Sequence, residues 1–189
     1  MKVYKERIVL FNGAVEDQEN TTSALLSKYI HNRLTEKGYA VEHYNIVEKN
    51  LPLLDLKLKD IPAKVKEMVD IFSQAELHFW LAPLYHGGIP GVMKNCLDWL
   101  EVTAEDPKPY LTDIKVGLVC WADGSQAMQG INNMDSIAKA LRAWTLPYTV
   151  PIVRGQLTTT INSKTIDVNY SHKLDRLIDL ALSKQIITR

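Results

Sequence analysis

Residues 82–100, APLYHGGIPGVMKNCLDWL, carry the densest chemistry-bearing run of the chain. Two prolines and three glycines between Pro83 and Gly91 fix an irregular path and let a flat ligand approach the backbone without Cβ obstruction. The amides of Tyr85, His86, Gly87 and Gly88 would then face carbonyl and ring-nitrogen acceptors. The same composition equally describes a tight strand-to-helix turn with Pro90 near the first helical position. Upstream, Asn20, Thr21, Thr22 and Ser23 offer an N-cap and three hydroxyls at the start of an amphipathic stretch. Such a stretch is either an anion-holding helix N-terminus or a capped helix without a ligand. Downstream, Asp123, Gly124 and Ser125 open a loop of small residues, a weak sign when taken alone.

These loops need elements to position them. Short apolar runs at residues 7–11 (RIVLF), 40–46 (AVEHYNI), 77–82 (LHFWLA), 115–120 (KVGLVC) and 149–153 (TVPIV) have the length and branched or aromatic content of strands. Between them, apolar residues recur three and four apart. One stripe joins Leu25, Leu26, Tyr29, Ile30 and Leu34, ended by Gly38 as a C-terminal cap. A second joins Val65, Met68, Val69 and Phe72, with Pro62 near its start, and a third Val92, Met93, Leu97 and Leu100. Met134, Ile137, Ala138 and Leu141 make a fourth, and Leu174, Leu177, Ile178 and Ala181 a fifth. The order βαβαβαβαβα predicts one α/β domain over residues 1–189, a parallel sheet with helices on both faces. In such sheets ligands bind at the carboxyl ends of the strands, near the switch in strand order. The loops after the first, third and fourth strands are therefore the expected site.

Composition narrows the chemistry by exclusion. Lys and Arg number 22 against 22 Asp and Glu in 189 residues, so no basic excess is present to grip a nucleic acid or an anionic membrane. No apolar run approaches the roughly 20 residues of a membrane helix, and the start, MKVYKERIVL, has no long apolar core, so the cytoplasm is the expected compartment. Cys96 and Cys120 form no CxxC and read as small buried hydrophobes. There is no G-x-S-x-G elbow and no phosphate-binding G-x-x-x-x-G-K-[ST] loop. The five histidines show no ligand spacing, so no metal is expected.

The run PLYHGGIPGVMKNCLDWL is similar to the signature of the NADPH-dependent FMN reductase family, approximately P-E-Y-[HN]-G-S-x-P-G-x-L-K-N-x-L-D-W. Pro83, Tyr85, His86, Gly87, Pro90, Gly91, Lys94, Asn95, Leu97, Asp98 and Trp99 carry the resemblance, with Met93 in place of Leu. It implies a flavodoxin-like three-layer sandwich around a five-stranded parallel sheet, with FMN as cofactor and NADPH or NADH as co-substrate. It places Tyr85, His86, Gly87 and Gly88 along the flavin ring, His86 through its amide, with Pro83 and Leu84 as further cofactor-binding residues and no side chain in a catalytic role. Asn20, Thr21 and Thr22 would lie at the FMN phosphate, and Asp123, Gly124 and Ser125 beside the ring and ribityl chain. Further implications are a homodimer or homotetramer and ping-pong electron transfer to a small-molecule acceptor: a flavin, quinone, azo compound or metal oxyanion.

The sequence also departs from the pattern. Leu84 stands where Glu is common and Gly88 where Ser is common. The first loop, commonly of the form G-S-x-R-x-x-S, reads Gly13, Ala14, Val15 and then the acids Glu16, Asp17 and Glu19. One acid about 4 Å from a phosphate opposes it by roughly 1 kcal/mol in water and roughly 4 kcal/mol at an effective dielectric of 20, so these acids are expected to bulge outward. The rival reading is a binding protein on the same fold with a degenerate phosphate site and no reductase activity. A flavodoxin-type electron carrier is disfavoured, because such carriers are strongly acidic and this chain is neutral.

Overall fold

A computed structural model describes residues 7–16, 18–159 and 165–183. The strands are β1 (Arg7–Asn12), β2 (Ala40–Asn45), β3 (Leu77–Pro83), β4 (Lys115–Ala122), β5 (Trp144–Thr145) and β6 (Val150–Val153). The helices are α1 (Thr22–Glu36), α2 (Ile46–Lys49), α3 (Ala63–Ser73), α4 (Gly91–Asp98), α5 (Ala127–Ala140) and α6 (Val168–Leu182). All strand pairings are parallel, in the order β2-β1-β3-β4-β5, with β6 also on β4. The chain runs outward from β1 to β2 and returns across β1 to β3. The switch in strand order therefore lies between the carboxyl ends of β1 and β3.

Burial on both faces explains the continuous apolar runs. Along β1, Ile8 and Leu10 pack with Leu26, Ile30 and Leu34 of α1 and Leu174, Leu177 and Ile178 of α6. Val9 and Phe11 point the other way, into a core with Val65, Met68 and Phe72 of α3, Met93 and Leu97 of α4 and Met134 of α5. Phe11 makes edge contacts there with Phe72 and Trp80, at centroid distances of 5.1 and 6.3 Å. Gly38 follows α1 at φ +86, where its amide and that of Tyr39 bond Thr35 O and Leu34 O.

The expected fifth strand, residues 149–153, is present as β6, and a two-residue strand that the apolar runs did not foretell, β5, precedes it along the same edge of β4. Trp144 and Thr145 pair with Lys115 and Val116, whereas Val150–Val153 pair with 119–122, so the outer strand carries two extra residues. Pro147 lies in the break between the two and has no N–H to continue the ladder. The second expected strand stops at Asn45, and Ile46 starts α2. Val92, placed on the third apolar stripe, is 46% exposed. His78 is fully buried: its Nε2 donates to Phe72 O (2.9 Å), Nδ1 accepts from Trp80 Nε1 (3.4 Å), and desolvation pushes its pKa down to about 4. Cys96 and Cys120 are buried thiols whose pKa values burial raises, Cys120 to about 12. No helix among the described residues is long and apolar enough to cross a membrane.

Candidate functional site

Three loops meet at the switch point. The first is pinned at its root, where buried Asn12 accepts the Ala14 amide on Oδ1 (3.1 Å) and the Gly13 amide donates to Leu81 O (2.8 Å). Gly13 lies against α4, where any Cβ would collide with Met93. Val15 and Glu16 are exposed, Asp17 lies outside the described residues, and the chain returns to Thr21. Thr21 caps α1 by accepting the Ala24 amide (3.2 Å) and donating to Gln18 O (2.9 Å). Buried Ser23 donates its hydroxyl to Glu16 O (2.9 Å). Two of the three predicted hydroxyls therefore fold the loop onto the helix. The Thr22 hydroxyl and the amides of Thr22 and Ser23 have no partner among the described residues, as is normal for the first turn of a helix.

After β3, the Leu84 amide donates to Trp121 O (2.8 Å), holding the third loop to the fourth. Tyr85 and Gly88 then exchange both backbone hydrogen bonds, at 2.9 and 3.0 Å. His86 and Gly87 sit between them at φ +50 and +87, the pattern of a type I′ turn. This corrects the expectation of four ligand-facing amides: those of Tyr85 and Gly88 close the turn, and only those of His86 and Gly87 lack partners among the described residues. Asn133 of α5 holds the turn by accepting the Ile89 amide (3.2 Å). The rest of the signature is largely structural. Asn95 accepts the Leu54 amide and donates to Pro52 O, both at 2.9 Å, and Trp99 Nε1 donates to the same carbonyl at 2.8 Å. Lys94 and Asp98 form a surface pair at 2.5 Å.

Between the loops lies a cleft of about 120 Å³. Thr21, Thr22 and Ser23 form one wall, Pro83, Leu84 and Tyr85 another, and Trp121, Ala122 and Asp123 a third. The fold thus gathers Thr21, Thr22, Pro83, Leu84, Tyr85 and Asp123 at one place. Asn20, His86, Gly87, Gly88, Gly124 and Ser125 lie outside its lining, the His86–Gly87 turn standing exposed beside it. Glu16 lines the cleft and Glu19 does not, so the first loop turns only part of its acid outward. Arg154, immediately after β6, also lines it and ion-pairs with Asp123. Sequence reading missed Arg154; its one signal is a basic residue directly after the last apolar run. His31 and His43 form a separate pair, Nδ1 to Nε2 at 2.7 Å, with the His43 pKa lowered by burial and then by His31.

A family model described as NADPH-dependent FMN reductase matches residues 7–156. The chain belongs to that family. It is therefore an NAD(P)H-dependent oxidoreductase whose cofactor is FMN. NADPH-dependent FMN reductase ArsH of Rhizobium meliloti (strain 1021) is 24% identical over 177 residues, covering 94% of this chain and 70% of that protein. An FMN-dependent NADPH-azoreductase of Staphylococcus aureus (strain USA300) is 24% identical over 135 residues, 69% of each chain. Among solved structures, the apo form of an NADH:FMN oxidoreductase (EMOB) superposes with a TM-score of 0.74 at 20% identity, covering 95% of this chain and 91% of that one. That likeness establishes the flavodoxin-like fold.

Proposed function

We propose that the cleft and the adjoining turn hold FMN and that this flavoenzyme passes electrons from NADPH or NADH to a small-molecule acceptor by a ping-pong route. The observation that carries the reading is the joining of an α1 N-terminus, whose Thr22 and Ser23 amides and Thr22 hydroxyl have no partner among the described residues, to an apolar wall of Pro83, Leu84 and Tyr85. The first suits a phosphate and the second a flat ring. A volume of about 120 Å³ accommodates the phosphate end and leaves the ring against the exposed turn, where the free amides of His86 and Gly87 can donate to it. Bound FMN supplies the two-electron chemistry. The chain contributes orientation, and preorganised donors act where negative charge develops. The acceptor classes that fit a flat, open site are flavins, quinones, azo compounds and metal oxyanions.

A homodimer or homotetramer is part of this proposal, supported by exposed apolar side chains at Val47, Leu53, Leu56, Leu58 and Val92; so is a cytoplasmic site of action. A second reading, a flavodoxin-fold binding protein without reductase activity, draws on Glu16 and Asp123, which put two carboxylates beside the candidate phosphate site. One experiment separates the two. Protein purified with FMN should stay yellow after desalting, bleach with NADPH in the absence of oxygen, and show parallel double-reciprocal plots with a quinone or azo dye. A colourless protein that oxidises no NADPH rejects the enzyme reading of the cleft.

A further inference from the structure

The cation that the first loop lacks reaches the cleft from the opposite side. Residues 13–21 contain no Lys or Arg, and Arg154 is the single cationic side chain lining the cleft among the described residues. Strand register puts it there. Ala122 of β4 pairs with Val153 of β6, so the residues that follow, Asp123 and Arg154, emerge side by side. Tyr170 of α6 fixes the spot, its hydroxyl accepting the Val153 amide at 3.0 Å. The guanidinium meets the Asp123 carboxylate through Nη2. Both side chains stand in solvent, 52% and 80% exposed, where an ion pair contributes little to folding. The contact nevertheless neutralises the one cation in the cleft.

Building on the reading of the cleft as the FMN phosphate site, we propose that Arg154 receives the phosphate and that Asp123 is its intramolecular competitor, displaced when FMN binds. A phosphate monoester carries close to two negative charges and three acceptor oxygens, so it outcompetes a single solvated carboxylate for the planar guanidinium fork. The sign of the Asp123 effect, read with and without Arg154, is diagnostic. If Asp123 contacts the cofactor, removing its charge weakens binding. If it competes for Arg154, removing its charge strengthens binding only while Arg154 is present, whereas direct repulsion of the phosphate would give the same gain with or without Arg154.

Quenching of flavin fluorescence by the full chain, freed of flavin, measures affinity for FMN and for riboflavin, which has the same ring without the phosphate. The wild type should prefer FMN, and added salt should erode that preference. Arg154→Met should weaken FMN by at least about tenfold and leave riboflavin within about twofold, the usual scale for a lost charge-assisted contact. Asp123→Asn should tighten FMN about threefold, a gain that disappears in the double variant. Equal losses for both flavins in Arg154→Met, or weaker FMN binding in Asp123→Asn, overturn the proposal while leaving the cofactor reading intact. Unchanged FMN affinity with a raised KM for NADPH overturns it too, by assigning the guanidinium to the electron donor. A wild type that binds neither flavin overturns both readings together.

Discussion

Gly13 packs against Met93, tying the first loop to the helix that follows the third, and the cost of disturbing that packing can be worked from distances. A Cβ at Gly13 would stand 2.2 Å from Met93 Sδ, 2.6 Å from Cγ and 2.9 Å from Cβ. Rotating the thioether relieves the first two contacts only if there is room, and Met93 is fully buried. The third contact is fixed to the α4 backbone, so alanine at position 13 requires the loop or the helix to move. Overpacking of this kind costs about 1–3 kcal/mol. Gly13→Ala should therefore lower the urea midpoint by an equivalent amount with an unchanged m-value. Met93→Ala alone leaves a cavity and costs about 2–5 kcal/mol. Together the two should cost less than their sum by at least about 1 kcal/mol, because the truncated methionine makes space for the new methyl. Displacing Gly13 also pulls on its bond to Leu81 O and on the Asn12–Ala14 turn, which set where the Thr21–Ser23 wall begins. FMN should accordingly bind more weakly to Gly13→Ala. A Gly13→Ala stability within about 0.5 kcal/mol of wild type, or strict additivity with Met93→Ala, would refute the reasoning.

At Gly87 the nearest atom to a built Cβ is Gln129 Oε1 at 3.7 Å, so the barrier to substitution is φ +87 and not a clash. Gly87→Ala should cost about 1–2 kcal/mol in chemical denaturation, and Gly87→Val more. Asn95→Ala removes both hydrogen bonds that hold Pro52 and Leu54, and should cost about 1–3 kcal/mol. Trypsin should then cut after Lys57 or Lys59 faster than in wild type; equal cleavage rates would count against the clamp. His78 is buried neutral with its pKa pushed down to about 4, against about 6.5 in the unfolded chain, which therefore binds the extra proton first as pH falls. The contribution of His78 is intact above pH 6.5 and is lost on acidification toward pH 4, by about 3 kcal/mol in all. His78→Gln should flatten that part of the pH dependence of the urea midpoint, and an unaltered slope would exclude His78 as its source.

The fold was legible where burial writes itself into sequence. Residues 8–11, 77–82 and 116–120 are covered on both faces, so parallel strands there appear as apolar runs. Trp144 and Thr145 were not legible, because they join the sheet through backbone pairing while Trp144 stays 67% exposed. The same division holds at the site. Pro83, Leu84 and Tyr85 follow directly from where β3 ends, and Thr21 and Thr22 from where α1 begins. What sequence could not display are pairings between segments far apart in the chain: Asn133 with Ile89, Asn95 with Pro52, Arg154 with Asp123. Each depends on how elements far apart in the chain are brought into register.

Register also explains why the broken outer strand can still serve the cleft. The two extra residues between β5 and β6 preserve the period of two, whereas one extra residue would have reversed every side chain that follows. Val150 and Ile152 consequently still face the core shared with α1 and α6. Leu146, inside the break, is buried in the same cluster, and its amide keeps a bond to Val116 O at 3.0 Å. With parity kept, Val153 meets Ala122 at the end of the ladder and Arg154 emerges beside Asp123. Net charge over the chain is zero, yet the balance that governs an anionic cofactor is local. One cation and the acids Glu16 and Asp123 line the cleft among the described residues, and the cation's place there depends on an interruption of the edge strand by two residues.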